Sequence, residues 1–153
     1  MRDSAILPYA NVDDHVAEAG ALHKAMLPLG FLTAFCFHHG LCSTQFLQEH
    51  DVLLARVRYQ EGQVSELFAA NRALLKVDDL TPQGLNFLRG YLPKLSQDYK
   101  TTFGDACYEI EDSWENYQRF AKVLVRAHLG APEGRGMLGL AQRIRSSWIK
   151  LWQ

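Results

Sequence analysis

The sequence predicts an all-α fold, a single-domain bundle of about five to seven helices, some kinked at proline, on three grounds. Apolar residues recur at spacings of three and four through most of the chain. Between those runs stand cap and stop signals: Ser/Thr or Thr-Pro before a run, glycine after it. No segment alternates apolar and polar residues for more than about four positions, so strand signals are weak throughout. Length agrees with one domain over residues 1–153. At 153 residues and 48% apolar, the chain can bury a substantial core.

Residues 14–38 read as one long helix, with Val16, Ala19, Leu22, His23, Met26, Leu29, Leu32, Ala34, Phe35 and Phe37 inward. Pro28 should kink it or open its second half. Gly40 follows as a stop. Ser43 or Thr44 caps a second helix through about residue 60, with Phe46, Leu47, Leu53, Leu54 and Val57 inward. Gly62 breaks it, and a short helix at about 63–71 carries Val64, Leu67 and Phe68. Residues 74–79 form a connection.

Thr81-Pro82 is a capping hydroxyl followed by proline at the first helical position. The helix it opens carries Leu85, Phe87, Leu88 and Tyr91, is broken or bent at Pro93, and resumes with Leu95, Tyr99 and Phe103 before Gly104. Asp112-Ser113 caps the next helix, whose inward set is Trp114, Tyr117, Phe120, Ala121, Leu124 and Ala127, and Gly130 ends it. After a loop at 131–136, a last helix at about 137–152 has a stripe at Leu140, Ile144, Trp148, Leu151 and Trp152.

Composition excludes several classes. The net charge of −1 and the apolar content exclude general disorder and a uniformly basic nucleic-acid binder. The most apolar stretch, residues 25–37, is too short for a membrane span, and residues 1–8 do not read as a signal peptide. Three cysteines, Cys36, Cys42 and Cys107, point to reduced thiols and a cytoplasmic protein. Charge is nevertheless segregated: residues 1–104 sum to −2, residues 105–117 to −5, and residues 118–153 to +6.

No arrangement of residues amounts to a catalytic motif, so the chain reads as a non-enzyme without a cofactor. Cys36, His39 and Cys42 at i, i+3 and i+6 could wrap a zinc ion. They read instead as a helix end with buried cysteines and histidines near the C-terminal dipole, and no metal is expected. Cys107, beside Asp105 and Glu109, is a poor nucleophile, because those charges raise a thiol pKa. His128, at a helix end, reads as structural. Glu111 and Glu115 share a helix face and could hold a divalent cation, but such a pair ordinarily complements a helix N-terminus. Trp114 and Tyr117 read as core by their spacing, whereas Glu111, Asp112 and Glu115 should be displayed. Arg143, Arg145 and Lys150 around Trp148 and Trp152 could suit nucleic acid or a membrane surface, but one apolar stripe favours packing on the bundle.

The segment Tyr108-Glu109-Ile110-Glu111-Asp112-Ser113-Trp114-Glu115-Asn116-Tyr117 resembles a family of small bacterial proteins with a Val-Glu-Asp-Ser/Thr-Trp-Glu-Asn-Tyr motif. Three further segments are similar to that family's pattern. They are residues 18–23, residues 32–35 with Gly40-Leu41-Cys42-Ser43, and Leu80-Thr81-Pro82-Gln83-Gly84-Leu85-Asn86-Phe87. The likeness covers about residues 14–130. Phe35 stands where the family has Trp, and the basic helix at about 137–152 lies outside it. Members resemble partners found beside polymorphic toxins and type VI secretion effectors. The resemblance therefore implies an immunity protein.

The expected function is neutralisation of a cognate antibacterial effector by direct binding, the effector being a cytoplasm-acting toxin such as a nuclease. An acidic patch attracts a surface built to hold phosphate. The partner-binding residues are then Glu109, Glu111, Asp112 and Glu115, with Tyr117 or Trp114 as an aromatic anchor if exposed. A homodimer is compatible with this, and membrane or nucleic-acid partners are not expected. The alternative is a small helical nucleic-acid-binding regulator using the basic residues 118–153.

Overall fold

A computed structural model describes residues 4–130. Seven α-helices and one small sheet make up this part. Strand β1 (Ile6–Asn11) runs antiparallel to β2 (Leu74–Lys76), pairing Ile6 with Lys76 and Asn11 with Leu74. Five steps along β1 thus answer two along β2, so β1 bulges. Tyr9 takes up the bulge with φ of 66° and a side chain 58% exposed. This sheet departs from the expected connection at 74–79. A bulge scrambles the in–out alternation by which a strand is recognised, and β2 is only three residues long.

The helical segment expected at 14–38 is two helices, α1 (Asp13–Ala19) and α2 (Leu22–His38). The break lies at Gly20, in the left-handed conformation at φ 79°, with its N–H on the Val16 carbonyl. Helix α2 runs on through Pro28. From residue 27 to 36 it is buried on every side, so its apolar pattern is continuous rather than a stripe. Leu22, expected inward, is 58% exposed.

Ser43 caps α3 (Thr44–Glu49), its Oγ accepting from the Phe46 N–H at 3.2 Å. The expected single helix to residue 60 divides at His50, where α4 (Asp51–Arg58) begins. Helix α5 (Glu66–Ala70) follows. A 3-10 turn at Val77–Asp79 then leads to α6 (Pro82–Phe103), whose cap is Thr81 as expected. Helix α6 continues across Pro93, which lies on its exposed face. A second 3-10 turn (Cys107–Glu109) precedes α7 (Trp114–Leu129), capped by Ser113 and closed at Gly130. The basic helix expected at 137–152, with Arg143, Arg145, Lys150, Trp148 and Trp152, lies outside the described residues.

The core forms around α2. Phe31 meets Tyr99, Phe103, Tyr117 and Phe120 at ring-centroid distances of 6.1 to 6.4 Å. On another side of α2, Gly30 lies against residue 65. A Cβ on Gly30 would fall 2.6 Å from the Ser65 Cβ and 2.8 Å from its Cα. No real contact is that short, so α2 and the start of α5 could not approach this closely with any other residue at position 30.

Gly30→Ala is therefore expected to destabilise the chain by about 1–3 kcal/mol through overpacking. A urea titration should show the midpoint falling with an unchanged slope.

Candidate partner-binding site

The acidic segment after α6 is held from both sides. Tyr99 Oη donates to the Cys107 carbonyl at 2.6 Å, and the Glu109 N–H reaches the Ala106 carbonyl at 2.9 Å. Asp112 then turns inward. Its carboxylate accepts the Ser65 N–H at 3.1 Å and also the Ser65 hydroxyl. Trp114 Nε1 donates to the Gly62 carbonyl at 3.0 Å. Asn116 Nδ2 donates to the Glu111 carbonyl at 2.8 Å, while Ser113 Oγ accepts the Asn116 N–H. Most of the Glu-Asp-Ser-Trp-Glu-Asn motif thus works as a clasp that pins α7 to the loop before α5.

The five residues expected to bind a partner divide accordingly. Tyr117 is 3% exposed and cannot serve as a surface anchor. It packs on Trp114, His38 and Phe31, because its place on α7 faces α2. Trp114 is half-buried beside it. Asp112 is half-buried and committed to Ser65, so it is not displayed. Glu111 and Glu115 are exposed, and among the described residues neither carboxylate has an ion pair. Glu109 is exposed too, but both of its oxygens lie 2.7 Å from Lys24 Nζ on α2.

Lys24 and Glu109 stand at a cleft of about 390 Å³ that is also lined by Ser65, Glu66, Tyr108 and Asp112. Glu66 carries a buried Oε2 with no hydrogen-bond partner, and its Oε1 lies 3.6 Å from Arg56. Sequence reasoning missed Lys24 and Glu66. Nothing local relates them to the motif, which lies more than forty residues away.

Charge follows the architecture. Helices α6 and α7 carry six Lys or Arg against two acids, whereas the other described residues carry five against thirteen. Arg119, Lys122 and Arg126 lie exposed along α7, with Arg119 also stacked 5.0 Å over Phe103.

The three cysteines are core groups, and of the histidines among the described residues His15 alone is fully buried. No cluster of three or more His, Cys, Asp or Glu among the described residues is placed to hold a metal ion. Cys36 and Cys42 are buried; burial pushes the Cys36 thiol well up and the Cys42 thiol to about 12. Burial also raises the Cys107 thiol, against the opposing charge of Lys100. His39 stacks on Phe35 at 4.1 Å, and His128 meets Phe87 at 4.9 Å. The helix-end dipole expected to favour a charged imidazole loses here to desolvation, which lowers the pKa of both. His15 is 4% exposed, with Nδ1 3.3 Å from the Tyr108 hydroxyl and Nε2 unpartnered. Burial lowers its pKa over the opposing charges of Asp14 and Glu18. His38 Nε2 is likewise buried without a partner, and burial lowers the pKa of His38 as well.

Compared with known families, residues 11–113 match the one described as a domain of unknown function, DUF7832. No curated protein and no solved structure matches the chain. The match includes the clasp up to its cap and ends one residue before α7.

Two outcomes follow from this geometry. Asp112→Ala strips Ser65 of its acceptor and should cost about 1.5–3 kcal/mol, whereas Glu111→Ala should stay within about 0.5 kcal/mol, both read by chemical denaturation. In the second, burial makes the imidazoles of His15 and His38 harder to protonate in the folded chain, while unfolded ones take protons near 6.5. Below that pH the unfolded state binds more protons, so stability should be flat between about pH 6.5 and 8 and fall as the pH drops below that range. Thermal melts across pH should show that break, and His15→Phe should make it shallower.

Proposed function

The chain belongs to the DUF7832 family, and for this member we propose a neutralising role of the immunity-protein kind: it binds a cognate antibacterial effector and blocks it. The observation that carries the reading is the exposed edge of Glu109, Glu111 and Glu115 on a clasped support. Asp112 and Trp114 hold that segment in place before any partner arrives. Little ordering entropy is then lost on binding. The acidic character of the described residues outside α6 and α7 extends the attraction, raising encounter rates with a basic surface such as a nuclease presents to phosphate. Glu109, already neutralised by Lys24, contributes less charge than Glu111 and Glu115. No helix of the described residues is long and apolar enough to cross a membrane, which is compatible with a toxin met in the cytoplasm.

A helical nucleic-acid-binding regulator is the competing reading, favoured by the exposed stripe of Arg119, Lys122 and Arg126. A salt-sensitive gel shift with DNA or RNA that is lost on reversing those three charges would establish it.

The immunity reading is tested by co-expression with the protein encoded immediately upstream. That neighbour should be toxic alone and harmless beside the wild-type chain. Glu111→Lys with Glu115→Lys should leave the fold intact, slow association at least about tenfold at low salt and abolish protection. A harmless neighbour would remove the immunity reading, and association unchanged by the double reversal would remove the acidic edge.

A further inference from the structure

Three glycines lie inside α-helices among the described residues, and packing explains two of them. Gly30 gives room to Ser65, as described above. Gly84 faces Leu41, whose Cβ would stand 3.0 Å from an added Cβ. Gly90, midway along α6, has no such reason. Among the described residues nothing lies within 4 Å of the place its Cβ would take, and its φ is not positive. A glycine in that setting weakens a helix relative to alanine. Among the described residues it brings no gain to the fold, and it leaves the α6 backbone open to approach at this point.

Gly90 lines a groove of about 710 Å³ between α6 and α7, a size ordinary for a binding cleft. Phe87 and Ala127 supply its apolar surface, and Asn86 presents a side-chain amide. Lys94 and Arg126 supply cations that no hydrogen bond or ion pair among the described residues engages. They belong to the strongly basic α6–α7 pair and outnumber the groove's Asp98, whose carboxylate already accepts the Tyr91 hydroxyl, so the groove draws acidic groups.

We propose that the α6–α7 groove is a second docking surface, which receives an acidic, partly apolar peptide segment of a partner protein with its backbone laid over Gly90. The missing Cβ admits a peptide backbone, Asn86 can pair with its N–H and C=O groups, and Lys94 and Arg126 take its carboxylates. Nucleic acid fits less well. Tyr91 is 3% exposed and donates its hydroxyl to Asp98 at 2.9 Å. The Phe87 ring is hemmed in by Tyr91 at 5.4 Å, His128 at 4.9 Å and Phe35 at 6.0 Å. With those contacts in place, little ring face is left on which a base could stack. This surface is independent of the acidic edge, and either can fail without the other.

The test uses the full chain and a fluorescent peptide of about 14 residues with Leu and Glu at helical spacing. Its Lys counterpart and an oligothymidylate of about 12 nucleotides serve as rivals. The Glu peptide should bind at low salt and shift the amide resonances of residues 86–91 and 126–128. Lys94→Glu with Arg126→Glu should weaken it at least about tenfold, and Gly90→Leu should block it. Gly90→Ala should weaken the peptide while raising Tm by about 2–4 °C. The proposal is overturned by absent binding, by equal or tighter binding of either rival, or by affinity that survives the double reversal. A lower Tm for Gly90→Ala would overturn it too, since the glycine would then serve the fold.

Discussion

The approach of residue 65 to helix α2 at Gly30 is the contact on which the other features depend. A side chain at position 30 would collide with both Cα and Cβ of Ser65. Because glycine stands there, the start of α5 lies against the most buried stretch of the chain. Ser65 then presents its N–H and its hydroxyl to Asp112, three residues beyond the 3-10 turn at Cys107–Glu109. Trp114 adds a second tie to Gly62. One steric vacancy in α2 thus sets where α5 lies, where the acidic segment turns and where α7 begins. A carboxylate in a half-buried place is stabilised by donors, and two from one residue hold Asp112 there.

That arrangement separates the acids of the motif by role. Asp112 is spent on the fold, Glu109 on Lys24, and Glu111 with Glu115 is left facing solvent. It also separates the charge of the molecule as a whole. The near-zero net charge is the sum of a basic helix pair, an acidic remainder of the described residues and the basic residues 131–153. Oppositely charged faces on one small body suit binding to surfaces of opposite sign. The immunity reading uses the acidic face, and the groove beside Gly90 belongs to the basic one.

Much of the fold was legible where local chemistry decides it. Ser43, Thr81 and Ser113 cap helices because their hydroxyls accept an N–H within the first turn, and Gly130 ends α7 in the left-handed conformation. Phe46, Leu67, Phe68, Tyr99, Phe120 and Leu124 fall in the core as their spacing indicates. The β1–β2 sheet was not legible, since a bulge at Tyr9 removes the alternation and β2 offers only three residues. The division of the first helix at Gly20 rather than Pro28 was equally hidden. A proline within a helix and a glycine within a helix both read as breaks, and packing decides which one yields.

From its residues alone the chain determined where most of it is helical, the caps at Ser43, Thr81 and Ser113, most of the core and the three-part distribution of charge. These depend on neighbours within one or two turns or on plain counting, so no knowledge of packing is needed. Tertiary structure decided that Asp112 is a clasp and that Lys24 answers Glu109. Those partners lie 47 residues apart for Ser65 and Asp112, and 85 apart for Lys24 and Glu109. Helical periodicity is blank at such separations. Only the packing of α2 against α5 and the 107–113 segment brings these groups within hydrogen-bonding distance, and that packing rests on the absent side chain of Gly30.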